Sequence, residues 1–87
     1  MTRLRLTTGA RLIYDEVRGE HVLLVPEGMV RLNPSAAEVL TLCDGTRSLD
    51  EVIGVLATRY EASDLRSDVQ RLIDAMAEKG LVVVGPA

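Results

Sequence analysis

The chain has few aromatic residues, a single cysteine and no long apolar run, and each shortage excludes a class of protein. Only Tyr14 and Tyr60 are aromatic among the 87 residues, so the core must be built from aliphatic side chains. Cys43 alone cannot form an internal disulfide, close a zinc site or hold an iron–sulfur cluster, and a lone thiol suits a reducing cytoplasm. No apolar run approaches the ~20 residues of a membrane-spanning helix, and no signal-peptide apolar region follows Met1. We expect a cytoplasmic protein without a membrane segment, metal or cofactor.

The composition is that of a small folded domain. Hydrophobic residues make up 47% and charged residues 26% of the chain, and the net charge is -3. A chain of this length buries only about 60% of its unfolded surface, so its core is thin. We therefore predict one domain over residues 1–87, whose core a second chain or a bound peptide could complete.

Three consecutive strands are predicted in the first third of the chain. Leu12–Tyr14 and His21–Val25 flank a charged loop that contains Gly19. Val25–Gly28 has proline at the second and glycine at the fourth position, which is typical of a type I turn. This turn leads directly into a third strand, Met29–Leu32, so the segment predicts a three-stranded antiparallel sheet.

Three short helices are predicted next from their end signals. Asn33–Pro34 predicts the start of the first helix and Asp44–Gly45 its end, because Asn caps free N–H groups and Gly accepts a left-handed conformation. Ser48–Glu51 has the capping-box pattern at the start of the second helix. The third is predicted to begin near Ser63–Asp64 and to end at Lys79–Gly80.

The order of these elements predicts the fold class. The helical apolar stripes that would form the core are Ala36, Val39, Leu40 and Cys43; Leu49, Val52, Ile53, Leu56, Ala57 and Tyr60; and Leu65, Val69, Leu72, Ile73 and Met76. Leu81–Val84 is predicted as a short terminal strand that stops at Gly85–Pro86. Together these elements predict an α+β, winged-helix-like domain: a three-stranded antiparallel N-terminal sheet, three helices and a short C-terminal strand.

The chain offers little for catalysis. His21 opens the second strand with no acid or nucleophile visibly paired to it, and Cys43 lies on an apolar helix stripe where a thiol behaves as a small hydrophobe. We therefore predict no enzymatic activity.

A winged-helix layout makes DNA binding the alternative function, in which the third helix would lie in a groove of the DNA. That helix carries four acids against three bases from Asp64 to Lys79. Because DNA binding draws affinity from neutralised phosphates, an acidic helix on an acidic domain disfavours it, and we expect no nucleic-acid partner.

The third strand is the most informative candidate site. It is short, follows a tight turn and leads into a helix, so at a sheet edge it would present unpaired backbone groups to an extended peptide. An edge covered by the Leu81–Val84 strand is the alternative. Residues 1–31 carry five arginines and four acids, against five bases and nine acids in residues 32–87, so the sheet half is better suited to an acidic ligand. Arg31 is the charge of interest, either as a contact or as an ordinary outward-facing side chain.

Several segments together resemble the PqqD family of pyrroloquinoline quinone (PQQ) biosynthesis. They are Gly9–Leu12, His21–Met29, Leu32–Ala37, Leu42–Gly45, Asp68–Val69 and Lys79–Leu81, and they span nearly the whole chain. The Pro-Glu-Gly turn followed by Leu32–Asn33 and by Asp44–Gly45 is the most specific part. Val25 stands where the family often has tyrosine before Pro-Glu-Gly.

The resemblance implies a peptide chaperone that makes no bond itself. PqqD domains are the prototype of the RiPP recognition element, which captures leader peptides of ribosomally made, modified peptides. The implied partners are the precursor peptide PqqA and the radical S-adenosylmethionine enzyme PqqE, to which PqqA is presented. The implied peptide contacts lie on strand three and helix three: Met29, Val30, Arg31, Leu32, Leu65, Val69 and Leu72. A working monomer is implied, while an open edge and the terminal valines would also allow a homodimer by strand exchange.

Overall fold

The computed structural model describes residues 2–61 and 64–86, which form six strands and three helices. Their order is β1 (Thr2–Leu6), β2 (Arg11–Asp15), β3 (Glu20–Val25), β4 (Gly28–Leu32), α1 (Pro34–Thr41), β5 (Asp44–Arg47), α2 (Leu49–Ala57), α3 (Leu65–Glu78) and β6 (Val82–Pro86). The α+β class and the three-stranded sheet followed by helices are confirmed, and two further strands, β1 and β5, join them.

The strands form two antiparallel sheets. The hairpin sheet has the order β2-β3-β4 and uses contiguous chain, with Leu12 opposite Leu23 and Leu23 opposite Val30. The terminal sheet has the order β5-β1-β6 and joins the two ends of the chain, with Leu6 opposite Val82. The predicted terminal strand therefore pairs with β1 and does not cover β4.

Local turn chemistry explains the hairpin sheet. The Asp15 carboxylate accepts backbone bonds from Val17 at 3.0 Å and Arg18 at 3.2 Å, and Gly19 takes a positive φ of 68° that few other residues adopt. Neither Pro26 nor Glu27 has a positive φ, as a type I turn requires. These two connections bring three consecutive segments side by side.

The predicted helix ends are largely confirmed. The Asn33 side chain accepts from the Ala36 N–H at 2.7 Å, and Ser48 and Glu51 form both bonds of the capping box. Gly80 follows α3 with a φ of 75°. The α3 cap, Asp64, makes no side-chain capping bond, and Ser63 lies outside the described residues.

Two predicted boundaries are wrong for the same reason. Asp44–Gly45 does not end α1, which has its cap at Leu42; Asp44 begins β5, and Gly45 keeps a positive φ of 88° inside that strand. The pairing of β6 with β1 extends through Gly85 to Pro86 and does not stop at Val84. In both places the chain pairs with β1 as a strand, although the local residues predict that an element ends there.

The core lies between the two sheets and the helices. α1 packs on the hairpin sheet, α2 on β1 and β5, and α3 on α2 and β6. The predicted stripes supply most buried residues, but Ala57 and Tyr60 are exposed, and Leu49, Leu65 and Leu72 are half-buried. Within the described residues, no helix is both long and apolar enough to cross a membrane.

Candidate functional site

β4 lies at an edge of the hairpin sheet, where β3 is its one strand partner among the described residues. A two-residue hairpin closes with a hydrogen-bonded pair, and bonded pairs then alternate along the ladder. Counting from the turn, these are Val25 with Gly28, Leu23 with Val30, and His21 with Leu32. Met29 and Arg31 therefore direct their backbone N–H and C=O groups away from β3, and β4 presents two donors and two acceptors to an added strand.

The side chains of β4 divide between two faces. Leu32 is buried and Val30 is half-buried against the core, whereas Met29 is 54% exposed and Arg31 lies on the outer face. The four predicted strand contacts are thus not equivalent. The side chains of Val30 and Leu32 pack against the core, whereas Met29 and Arg31 supply the backbone groups of the open edge.

Arg31 is held by a neighbouring strand. Its guanidinium donates to both carboxylate oxygens of Glu20, at 2.7 and 3.2 Å. This hydrogen bonding, together with the charge of Glu20, raises the pKa of Arg31 above its ordinary value. Glu20, at the start of β3, therefore compensates the charge of Arg31 and directs its side chain toward β3.

The three predicted helix-three residues meet in one apolar groove. Leu65, Val69 and Leu72 line a space of about 360 Å³ between α3 and the start of α1. Val69 is 3% exposed and belongs to the core, whereas Leu65 and Leu72 are half-buried and offer free apolar surface. The remaining lining residues are Asn33, Ser35, Ala36, Glu38, Val39, Leu56, Tyr60 and Asp68.

The groove adjoins β4 without including it. None of residues 29–32 lines the groove, but Asn33, which follows β4 directly, does. Leu32 lines a second cavity of about 600 Å³ on the other side of Asn33. The predicted contacts therefore form two adjacent parts, a backbone edge and a helical groove.

A polar cluster that the sequence did not indicate lies between the two cavities. Glu38, which lines both, accepts from Arg59 at 2.7 Å and from the Tyr60 hydroxyl. The Tyr60 hydrogen bond, followed by that of Arg59, lowers the pKa of Glu38, and the same bond raises the pKa of Tyr60. These residues are more than twenty positions apart, so no local pattern could have paired them.

The geometry provides no catalytic arrangement in the described part of the chain. His21 stacks edge-on against Tyr14, with ring centroids 4.9 Å apart, in the wall of the larger cavity. Cys43 is buried and donates to the Val39 carbonyl at 3.4 Å, and burial raises the pKa of its thiol to about 11. A thiol so far from ionisation is a poor nucleophile at neutral pH. Residues 2–61 and 64–86 contain no cluster of side chains suited to a metal ion.

Two solved structures share the fold of this chain. The NMR structure of the PqqD part of Methylobacterium extorquens PqqCD, described as a functional, stand-alone RiPP recognition element, has 34% sequence identity and a TM-score of 0.77 over 92% of this chain and 87% of its own. TbiB1 in complex with the TbiA(beta) leader peptide has the same fold at 17% identity, with a TM-score of 0.75 over 90% of this chain and 93% of that one. The fold is therefore that of a RiPP recognition element.

The sequence comparison identifies the family within that class. Residues 20–82 match the family PqqD, coenzyme PQQ synthesis protein D. A PqqA binding protein of Methylococcus capsulatus is 35% identical over 81 residues, which cover 93% of this chain and 87% of that protein. The bifunctional coenzyme PQQ synthesis protein C/D of Methylorubrum extorquens is 36% identical over 77 residues, covering 86% of this chain and 21% of that protein. The chain belongs to the PqqD family.

Proposed function

We propose that this chain binds the precursor peptide PqqA as an added strand on β4 and presents it to the radical enzyme PqqE, without making or breaking a bond itself. The single observation that carries the proposal is the open edge of β4 beside an apolar groove. Family membership and the naming of a relative as a PqqA binding protein support PqqA as the bound peptide, which we call the guest.

The backbone edge would supply binding energy that depends little on the guest sequence. Met29 and Arg31 present the outward N–H and C=O groups, which match the two-residue repeat of an extended peptide. Alternate guest side chains would then lie on the same face as Val30 and Leu32. That face leads toward the groove through Asn33.

The groove would supply selectivity. Leu65 and Leu72 have apolar surface left to bury, and Val39 and Leu56 form part of the floor. Burying apolar area contributes about 25 cal/mol per Å², so one large guest side chain in a groove of this size contributes on the order of 1–3 kcal/mol. An interface of a few backbone bonds and one or two anchors is small, which suits a carrier that must release its cargo.

His21 packs edge-on against Tyr14 and Cys43 is buried, and this arrangement supports a carrier role and not an enzymatic one. His21→Ala and Cys43→Ala variants are expected to leave presentation of PqqA intact. Loss of cross-linked product from either variant while peptide binding is retained would contradict this.

An NMR titration tests the binding site. Adding unlabelled PqqA to the labelled chain is expected to shift the amide signals of residues 28–33 and 65–72. Duplex DNA at low ionic strength, the probe for the alternative function, should shift none of them. Shifts confined to β1, β5 and β6, or no shifts, would show that the site is wrong.

We also propose that the working form is a monomer. The edge that binds the guest could instead pair with β4 of a second copy, so the two uses compete. Light scattering across a dilution series should show any dimer dissociating when PqqA is added. A dimer that persists at saturating peptide would contradict the monomer.

A further inference from the structure

The arginines of this acidic protein are mostly compensated by ion pairs. Six of the nine have a carboxylate within 4.0 Å: Arg18, Arg31, Arg47, Arg59, Arg66 and Arg71. Within residues 2–61 and 64–86, the three arginines without such a partner are Arg3, Arg5 and Arg11. All three lie near the start of the chain, and two of them share one strand.

Arg3 and Arg5 project from the same face of β1. Leu4 between them is 2% exposed and points into the core, so its two neighbours point outward, and both are exposed. Residues two apart on a strand are separated by about 7 Å, and we call this pair the arginine face. Across β6 their neighbours are Gly85 and Val83, neither of which carries charge.

The acids nearest to the arginine face are occupied by other groups. Asp44 is opposite Arg5, but its carboxylate accepts from Thr46 at 2.5 Å and from Arg47 at 2.9 Å. Glu51 accepts from the Ser48 N–H at 2.9 Å in the capping box. This hydrogen bonding with Ser48 is the main reason that the pKa of Glu51 is lowered, and the charge of Arg3 contributes without an ion pair within 4.0 Å. The guanidinium groups of the arginine face thus keep their hydrogen-bonding capacity for another molecule.

We propose that the arginine face is the docking surface for an acidic patch on the enzyme that receives the peptide, with carboxylates spaced to meet both guanidinium groups. The inference rests on the proposed presentation of PqqA to PqqE. Charge complementarity supports it, since planar guanidinium groups pair with carboxylates through two parallel bonds. The face belongs to the terminal sheet and the peptide edge to the hairpin sheet, so one chain can engage both partners at once.

Charge reversal tests the face with PqqE as the probe. The Arg3→Glu/Arg5→Glu variant is expected to bind PqqE at least about tenfold more weakly, and the wild-type affinity should fall with ionic strength more steeply than that of the variant. The matched control is Arg11→Glu/Arg18→Glu, which changes net charge equally but at the start of β2 and in the turn that joins β2 to β3, and it should bind PqqE like the wild type. Both variants should bind PqqA alone as the wild type does.

The outcomes separate this inference from the proposed function. If the wild type binds PqqA but not PqqE, the proposed presentation is wrong. If it binds PqqE and the reversed variant binds equally well, the arginine face is wrong. Weaker binding of PqqA alone, or retention of duplex DNA by the wild type that the reversal abolishes, would assign the face to another ligand and overturn the inference. If the glutamate variant fails to fold, Arg3→Gln/Arg5→Gln and the salt dependence of the wild type decide.

Discussion

The two sheets of this small domain are built in opposite ways. The hairpin sheet uses the contiguous residues 11–32, joined by a four-residue and a two-residue connection, whereas the terminal sheet draws residues 2–6, 44–47 and 82–86 together. Short loops cost little entropy to close, and long ones cost more before any contact forms. The hairpin sheet therefore follows from local turns, and the terminal sheet depends on burial of its side chains in a shared core.

The same difference separates their roles. β1 has strands on both sides in the terminal sheet, which ties the two ends of the described chain together. Within residues 2–61 and 64–86, the hairpin sheet ends at β4, whose outer edge pairs with no other strand. We expect the terminal sheet to stabilise the fold and the hairpin sheet to bind the peptide along its β4 edge. Each expectation can be tested by a change that should leave the other sheet's property intact.

The largest effect is expected where the terminal sheet enters the core. Leu4 is 2% exposed, so Leu4→Ala should lower the free energy of unfolding by about 2–5 kcal/mol, a large part of the roughly 5–10 kcal/mol of a domain of this size. Leu24→Ala, on the half-buried outer face of the hairpin sheet, should cost about 1 kcal/mol. Urea unfolding measures both, and equal losses would contradict the dependence of the terminal sheet on burial.

The second effect concerns the open edge of the hairpin sheet. Arg31→Pro removes one outward N–H, which an edge strand tolerates, and should weaken PqqA binding by about tenfold or more with little loss of stability. Arg31→Ala is the matched control, because it removes the same side chain and its contact with Glu20 but keeps the N–H. Calorimetric titration with PqqA compares them. Equal weakening by both variants would show that the side chain, and not the edge, binds the guest.

A smaller effect is expected in the groove. Leu72→Ala removes apolar surface from its lining and should weaken PqqA binding by about threefold to tenfold. Leu49→Ala serves as the control, since Leu49 is also a half-buried helical leucine but does not line the groove. Unchanged binding by the Leu72 variant in the same titration would remove the groove from the site.

The smallest effect concerns acid stability. Tyr60 and Arg59 lower the pKa of Glu38 below its ordinary value of 4.5, so the stabilisation is fully present above that pH and is lost as pH falls through the lowered folded value. In the Tyr60→Phe variant the free energy of unfolding should therefore decrease less as pH falls than in the wild type. The control variant Tyr14→Phe should show the same decrease as the wild type. Urea midpoints measured from neutral pH downward compare them, and identical pH profiles for wild type and Tyr60→Phe would contradict the coupling.

Much of the candidate site could be predicted because its parts are local. The turn at Pro26–Glu27 and the cap at Asn33 place β4 between a hairpin and a helix whatever the rest of the chain does. The helical period likewise brought Leu65, Val69 and Leu72 to one face. The separation of the edge from the groove was not predicted, because it depends on how α1 lies between them, and neither was the Glu38 cluster.

By itself the sequence determined the hairpin sheet and most helix caps, because these follow from turn residues and capping side chains. The tertiary structure alone decided that β5 and the extended β6 pair with β1, since Gly45 and Gly85–Pro86 act as stop signals only where no strand is available to pair with them. It also decided the ion pairs of Arg31, Arg59 and Arg66, because each joins residues far apart in sequence that only folding brings within 4.0 Å.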